Sequence, residues 1–338
     1  MAFDNGQVYI RRPSLSERTL SAFLEALSPL KGVFGDESIN EIMINGPDEV
    51  FIRQGIADKR LSVRLSATNI QTAITLLASH VDKVVGKNSL ILSARFPGFR
   101  VEAVLPPVSL KGPSMCIRRH ARRVLTLDEY VARETITPSQ ASVVREAVAQ
   151  RKNFLVAGST YSGKTTLMNS ILSLVEPAER IYTIEQVPEL KVAVENWTPM
   201  EADPDQGVTA RELVQTAMRY SPNRIILGEL RGQEAYDWLD ALNTGHPGSG
   251  ATIHADGAVD ALQRLESLVM MAETGIPYNA IQQWIGRALN VVFFIQYRHG
   301  VRRLAEICHL NGFDRVRGEY SATTIHYGES HESTPVPA

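Results

Sequence analysis

The feature that most constrains the fold is a glycine-rich segment, GSTYSGKTT, at residues 158–166. Four residues separate Gly158 from Gly163, and Lys164 and Thr165 follow directly. This spacing is typical of a phosphate-binding loop, in which backbone N–H groups surround the phosphates, the lysine reaches the terminal phosphates and the hydroxyl binds Mg²⁺. The segment predicts a nucleoside-triphosphate site; the alternative is an ordinary glycine-rich turn between a strand and a helix.

The segments on either side of this loop have the periodicity that such a site requires. Residues 153–157 (NFLVA) form an apolar run, and residues 166–175 place apolar side chains at helical spacing. A strand, a loop and a helix in this order bring an anion to a helix N-terminus, where backbone N–H groups are unpaired. The residues predicted to contact the nucleotide are Gly158, Ser159, Thr160, Tyr161, Ser162, Gly163, Lys164, Thr165 and Thr166.

Length and composition predict a soluble globular protein of two domains. The chain has 338 residues, and its 44% hydrophobic content is enough to build two cores. No apolar stretch reaches the roughly 18 residues of a membrane span, and the N-terminus lacks the apolar core of a secretory signal. We therefore expect a cytoplasmic protein.

Net charge and cysteine content give no support for a nucleic-acid-binding protein, a disulfide-rich protein or a zinc protein. The net charge of −2 gives no reason to expect nucleic acid as a partner. Cys116 and Cys308 are far apart and lack metal-ligand spacing, so they predict neither a disulfide framework nor a zinc site.

The first 120 residues predict a small mixed α/β domain. A capping box at Ser14-x-x-Glu17 begins a helix, and residues 39–46 and 49–55 flank a Pro-Asp turn, as in a hairpin. A second helix is predicted over 67–81, and strands over 99–107 and 114–120. Residues 121–137 are predicted to be a linker with a short helix that starts at the capping box Thr126-x-x-Glu129.

Residues 138–330 predict a second domain in which helices and strands alternate, as in a parallel sheet that is covered on both faces. Thr137-Pro138 is a typical helix start. The predicted strands are 153–157, 180–185, 224–229, 250–255 and a terminal pair at 290–297 and 301–308; the predicted helices are 166–175, 210–220, 232–243, 257–272 and 278–289. The polar, proline-rich residues 331–338 are predicted to be disordered.

Hydrolysis needs groups that hold Mg²⁺ and orient water, and carboxylates at strand ends are their natural source. Glu229 follows the apolar run Ile225–Gly228, and Glu185 ends the preceding predicted strand. We predict a catalytic and metal-binding role for both, and Glu189 is a further candidate. The alternative for each is a solvated surface carboxylate.

Two histidines and one basic run are further candidates. His246 and His254 flank a glycine-rich turn, but no third ligand with zinc spacing is near them. A polar group beside the phosphates is the favoured interpretation, and a loop histidine is the alternative. The run RRHARR at 118–123 is interpreted either as a phosphate contact or as a solvated linker. It has no interleaved aromatic residues, so binding of single-stranded nucleic acid is unsupported.

Four segments, in this order and spacing, resemble the motifs of the secretion-ATPase superfamily. They are GSTYSGKTT (Walker A), TIEQVPEL (Asp box), RIILGELRG (Walker B) and TGHPGSGATIHA (His box). The chain is most similar to the conjugative-transfer and type IV secretion branch, which also shows a stretch like VEAVLPPVS and then a segment like LTLDEYV. The resemblance covers about residues 35–310.

The resemblance implies a RecA-like P-loop NTPase domain with a smaller N-terminal α/β domain, hexameric rings, and ATP with Mg²⁺ as ligands. Lys164 and Thr165 would hold phosphate and Mg²⁺, and Glu229 would polarise the attacking water. Arg100 and Arg118 would reach the phosphates from the N-terminal domain. Arg231 and His254 would couple the nucleotide state to movement.

Two residues depart from the family pattern. The family usually has Gly where this chain has Tyr161, and Asp where it has Gln186. If the loop needs a positive φ at Tyr161, the side chain costs about 1–2 kcal/mol. Gln186 keeps an oxygen acceptor but loses a charge near Mg²⁺. The residues leave open whether these changes slow turnover.

The expected function is that of a ring-forming cytoplasmic ATPase, peripheral at the inner face of the bacterial inner membrane, which drives pilus assembly or substrate export in conjugation. Its partners would be inner-membrane proteins of a secretion or conjugation complex, with no direct binding of nucleic acid. One alternative is a type IV pilus or type II secretion motor, although the latter usually has a four-cysteine zinc element. Another is an assembly switch that binds ATP and hardly hydrolyses it.

Overall fold

The computed structural model describes residues 17–55, 57–81, 83–86, 89–120, 123–327 and 334–335. The chain divides into two compact units, Met1–Arg122 and Arg123–Ala338. The predicted capping box at Ser14 begins outside the described residues.

The first unit is a six-stranded antiparallel sheet with helices packed against one face. The helices are α1 (Glu17–Ala26), α2 (Lys31–Gly35) and α3 (Ala67–His80), and the strands are β1 (Ile39–Gly46), β2 (Glu49–Gln54), β3 (Ala57–Arg60), β4 (Ile91–Phe96), β5 (Phe99–Val104) and β6 (Ser114–Arg119). The strand order is β3-β2-β1-β6-β5-β4. The predicted hairpin is β1–β2, and the predicted helix and later strands are α3, β5 and β6; β3 and β4 were not predicted.

The burial pattern of this sheet follows the two-residue period of a strand. Side chains such as Ile42, Val101 and Ile117 are buried against Phe23 and Ile74 of the helices. The opposite face carries polar side chains, and these include the arginines that the family resemblance assigns to the phosphates.

The second unit is built on a nine-stranded sheet. Its helices are α4 (Leu127–Ala132), α5 (Pro138–Ala149), α6 (Lys164–Leu172), α7 (Ala210–Ala217), α8 (Glu234–Asn243), α9 (Ala258–Met270) and α10 (Tyr278–Ala288). Its strands are β7 (Phe154–Ala157), β8 (Ile181–Glu185), β9 (Trp197–Glu201), β10 (Arg224–Leu227), β11 (Gly250–Ile253), β12 (Val291–Arg298), β13 (Val301–Asp314), β14 (Glu319–His326) and β15 (Thr334–Pro335). The strand order is β15-β14-β13-β12-β7-β11-β10-β8-β9.

The strands from β12 to β9 in that order pair in parallel, and β13, β14 and β15 add an antiparallel edge. Hydrophobic clusters lie on both faces, and all four residues of β7 are buried. This agrees with the predicted parallel sheet covered on both faces. Strands β9 and β14 were not predicted.

The residues predicted to be a linker contain the expected short helix, α4. The capping box at Thr126 is formed, and the buried Leu127 and Tyr130 belong to a hydrophobic cluster of the second unit. Within the predicted disordered tail, only residues 334–335 are described, and they pair with β14; the rest of 331–338 lies outside the described residues. Among the described residues, no helix is long and apolar enough to cross a membrane.

Candidate nucleotide-binding site

The parallel sheet brings the predicted site residues of the second unit to one edge. The phosphate loop follows β7, Glu229 follows β10 and His254 follows β11, while Glu185 is the last residue of β8. Carboxyl ends of parallel strands share an edge, where ligands bind in sheets of this kind. The predicted convergence of these motifs is therefore present.

The phosphate loop is shaped by glycines that tolerate no side chain. A Cβ at Gly158 would collide with the Ile295 carbonyl oxygen and the Ser162 hydroxyl. Gly163 adopts φ 104° as the N-cap of α6 and provides no side-chain cap, so the first N–H groups of the helix have no capping partner from it. The Ser162 hydroxyl is buried, with no hydrogen-bond partner in the described part of the chain. These features fit a bound anion.

Tyr161 has φ 63°, in the left-handed region. The loop therefore has a positive φ at this position, which is usually glycine in the family that the sequence resembles. A side chain with a Cβ costs about 1–2 kcal/mol in this conformation, so other contacts must stabilise it.

A continuous set of polar contacts connects the loop to the strand ends. The Lys164 Nζ donates to the Ser159 carbonyl (2.9 Å) and lies 3.3 Å from His254 Nδ1. The His254 Nε2 is 3.1 Å from Glu229 Oε1. Arg231 then donates to Glu229 Oε2 (2.6 Å) and to Gln186 Oε1 (2.9 Å).

The electrostatics of these contacts favour a neutral His254. Burial and the adjacent Lys164 ammonium hold the pKa of His254 below its usual value, against the opposing effect of Glu229. A neutral imidazole with its proton on Nε2 donates to Glu229 and presents Nδ1 as an acceptor to Lys164. His254 thus connects the predicted phosphate ligand to the predicted water-orienting carboxylate.

Glu185 has a different environment from Glu229. It is only 7% exposed, and its Oε1 accepts the backbone N–H groups of Glu189 (2.9 Å) and Leu190 (3.0 Å). Burial is the main reason that its pKa rises to about 7, and Glu189 and Glu201 add to that rise. Its visible role is to fix the loop that follows β8.

Asn169, which sequence analysis missed, fixes the same loop from α6. Its amide donates to the Glu189 carbonyl (3.0 Å) and its Oδ1 accepts from the Lys191 N–H (2.8 Å). Its only sequence signal is a polar residue on the buried side of an amphipathic helix, where it is 3% exposed. Glu189 contributes backbone groups to these contacts.

Arg100 and Arg118 lie next to each other in the first unit, because the β5–β6 register pairs them. Arg100 forms an ion pair with Glu102 (2.7 Å), and Arg118 is exposed. Cys116, two residues before Arg118, shares its face and donates from Sγ to Glu41 (3.0 Å). Burial and Glu41 raise the pKa of Cys116 to about 12, so it is an unreactive thiol.

The remaining candidates that the structure describes contact backbone carbonyl groups. His246 precedes β11 and His254 follows it, so they lie at opposite edges of the sheet; His246 Nδ1 is 3.1 Å from the Ala241 carbonyl. Within RRHARR, Arg119 donates to the carbonyls of Ile39 and Phe34 and is structural. The described residues include no group of three His, Cys, Asp or Glu side chains that could hold a metal ion.

Comparison with known proteins identifies related chains along most of this sequence. A family model described as type II/IV secretion system protein matches residues 24–326. The conjugal transfer protein TrbB of Rhizobium radiobacter is 33% identical over 306 residues, which cover 89% of this chain and 91% of that protein. The type IV secretion system protein PtlH of Bordetella pertussis is 34% identical over 325 residues, which cover 86% of this chain and 94% of that protein.

A solved structure is similar at the level of the fold. The ATPase DotB of Legionella pneumophila superposes with a TM-score of 0.58 at 18% identity, covering 92% of this chain and 80% of that one. This likeness confirms the predicted fold class, a RecA-like domain with a smaller N-terminal α/β domain.

Proposed function

The chain belongs to the type II/IV secretion system protein family, as its four motifs predicted, and we propose that it is a ring-forming ATPase that powers a type IV secretion or conjugative transfer apparatus. The relatives named above, a conjugal transfer protein and a type IV secretion protein, support this assignment. The observation that carries it is the contact chain from the phosphate loop through Lys164 and His254 to Glu229.

The residues of the loop would hold ATP. Backbone N–H groups of the loop and of the first turn of α6 would provide the donors, apart from the Gly158 and Ser162 amides, which donate to carbonyls of the protein. Lys164, which is 8% exposed, provides a positive charge. Thr165 would bind Mg²⁺, which when bound neutralises charge that develops on the phosphates. A carboxylate at Glu185 or Glu229 completes the predicted metal environment, and Glu229 is the less committed of the two to backbone groups.

Glu229 is the residue that would orient and polarise the attacking water. Its Oε1 contacts His254 and its Oε2 contacts Arg231, so both oxygens are engaged in this state. Release of either contact frees an acceptor for water. His254, which also contacts Lys164, would connect the availability of Glu229 to the occupancy of the loop, and Arg231 would connect it to Gln186.

The engagement of both Glu229 oxygens also supports a second candidate function, a switch that binds ATP and hydrolyses it slowly. Gln186 contributes to this arrangement, because it accepts from the same Arg231 that donates to Glu229. The ratio of the single-turnover rate to the steady-state rate of hydrolysis distinguishes a slow chemical step, as expected of a switch, from slow product release.

The ring and its location complete the proposal. We expect a homohexamer at the inner face of the inner membrane, bound to proteins of the secretion complex, in which Arg100 and Arg118 reach the phosphates. Their adjacency on β5 and β6 supports a shared role.

The experiment uses two lysines, one before β7 and one after the phosphate loop. Lys152 precedes β7 and Lys164 begins α6. We expect Lys164→Ala to abolish ATP binding and phosphate release by the purified protein, and Lys152→Ala to leave both within twofold of the parent. Equal behaviour of the two variants would contradict the assignment.

A further inference from the structure

The phosphate loop contains a residue in a conformation that its side chain disfavours. Tyr161 has φ 63°, in the left-handed region, which glycine adopts more readily than any residue with a Cβ. A free loop with tyrosine at this position would therefore spend most of its time in other conformations. Contacts outside the loop must select the observed one.

The β12–β13 hairpin provides those contacts. The Arg302 guanidinium donates from Nε and Nη2 to the Tyr161 carbonyl oxygen, at 3.4 and 3.3 Å. The same side chain lies against the next turn of the loop, since its Cδ is 3.5 Å from where a Cβ on Gly163 would be. The Ile295 carbonyl, on the same hairpin, closes the space beside Gly158. The hairpin thus contacts the loop at its start, middle and end.

Arg302 is itself held in place by its cross-strand neighbour. Tyr297 pairs with Arg302 in the β12–β13 register, and the guanidinium lies over the Tyr297 ring at 5.1 Å from its centroid. Stacking on an aromatic face orients a planar guanidinium and leaves its N–H groups free to donate. The donor fork is therefore directed at the Tyr161 carbonyl.

We infer that Arg302 is a positioning residue, which holds Tyr161 in the left-handed conformation and so keeps the phosphate loop shaped for the nucleotide. The inference rests on the proposed ATP site and gives a role to a residue outside the four motifs. It accounts for a loop that keeps its geometry although tyrosine replaces the usual glycine.

The test is a double-mutant cycle on binding of Mg²⁺-ADP to the full chain, with Arg302→Ala, Tyr161→Gly and the combined variant. We expect Arg302→Ala to weaken binding about tenfold, which matches the cost of a non-glycine residue in this conformation. In the Tyr161→Gly background the same change should weaken binding less than twofold, because glycine needs no support at positive φ. Equal weakening in both backgrounds, or none in either, would overturn the inference.

Arg303 is the matched control. It is the next residue on β13 and lies over another tyrosine ring, Tyr327, at 4.7 Å. Arg303→Ala should change ADP affinity less than twofold.

The turnover of Arg302→Ala at saturating ATP should stay within threefold of the parent. Loss of ATP binding with ADP binding retained would instead make Arg302 a ligand of the terminal phosphate and would refute a positioning role.

A readout without nucleotide separates this inference from the proposed function. The Gly158 and Ser162 amides donate to the Ile253 and Ser159 carbonyls, both at 3.3 Å. Hydrogen exchange of these amides should accelerate in Arg302→Ala and not in the combined variant relative to Tyr161→Gly. If the parent binds no ADP but this pattern is found, the proposed function fails and the positioning role stands; unchanged exchange refutes the positioning role.

Discussion

Replacement of Glu185 by glutamine is expected to stabilise the second unit at alkaline pH. Both backbone N–H groups that Glu185 receives go to the same oxygen, Oε1, so a glutamine carbonyl can accept both. The Glu185→Gln side chain also has nearly the same shape and carries no charge to bury. The variant therefore keeps the contacts of the parent and loses the cost of ionisation.

The magnitude follows from the pKa of Glu185, which burial raises from 4.5 to about 7. A raised acid pKa means that the unfolded state releases its proton at lower pH than the folded state does. The parent therefore loses stability as pH rises from about 4.5 to about 7, and the loss is constant above that. At 1.36 kcal/mol per pKa unit, it amounts to about 3 kcal/mol.

The assay is denaturant unfolding of the metal-free, nucleotide-free protein, followed by tryptophan fluorescence. The three tryptophans, Trp197, Trp238 and Trp284, all lie in the second unit, so the signal reports that unit. Glu185→Gln should match the parent at pH 4.5 and exceed its stability by about 3 kcal/mol at pH 8. The exposed Glu195→Gln is the control, with a change of less than about 0.5 kcal/mol at both pH values.

A Glu185→Gln variant that is no more stable than the parent at pH 8 would refute this reasoning. It would mean that the charged carboxylate has a favourable partner in the folded protein. If Mg²⁺ with ATP then stabilises the parent much more than the variant, the metal-binding role predicted for Glu185 would be supported.

Three further outcomes are expected. Arg118→Ala should lower turnover at least about tenfold, because a guanidinium at the phosphates would stabilise the charge that develops in phosphoryl transfer. Cys116→Ala, on the same face of β6, should change turnover less than twofold. Equal effects of the two substitutions would mean that β6 has only a structural role. Gln186→Asp should raise turnover about two- to fivefold with little change in ATP affinity. The new carboxylate would form an exposed ion pair with Arg231 and so weaken the contact of Arg231 with Glu229. Slower turnover would show that glutamine is preferred at this position. Native mass measurement in Mg²⁺ and ATP should show a six-fold species, and a monomer at micromolar concentration would count against ring assembly.

The sequence predicted the elements whose signal is local. The apolar run of β7, the loop glycines, the capping box at Thr126 and the helix start at Thr137-Pro138 each reside in a few consecutive residues. Two of the strands that were missed lack such a signal: all four residues of β3 are exposed, and β9 contains a proline at 199. Their pairing depends on neighbouring strands.

Within the second unit, the sequence predicted that carboxylates at strand ends lie near the phosphate loop, but it did not distinguish the environments of Glu185 and Glu229. Glu185 ends one apolar strand and Glu229 follows another, and only the course of the chain after β8 buries Glu185 against backbone N–H groups. Arg302 lies 141 residues from Tyr161, so nothing near the loop could indicate it. Long-range contacts of this kind have no signature in a single sequence.

The most direct test of hydrolysis at this site is phosphate release under single-turnover conditions by the parent and by Glu229→Gln. The substitution keeps an acceptor oxygen for only one of Arg231 and His254 and removes the charge that would polarise water. It leaves the phosphate loop unchanged, so ADP affinity should change less than threefold. Phosphate release should fall by about 100-fold or more, in the range for loss of a general base. Equal release by the parent and Glu229→Gln would contradict the account.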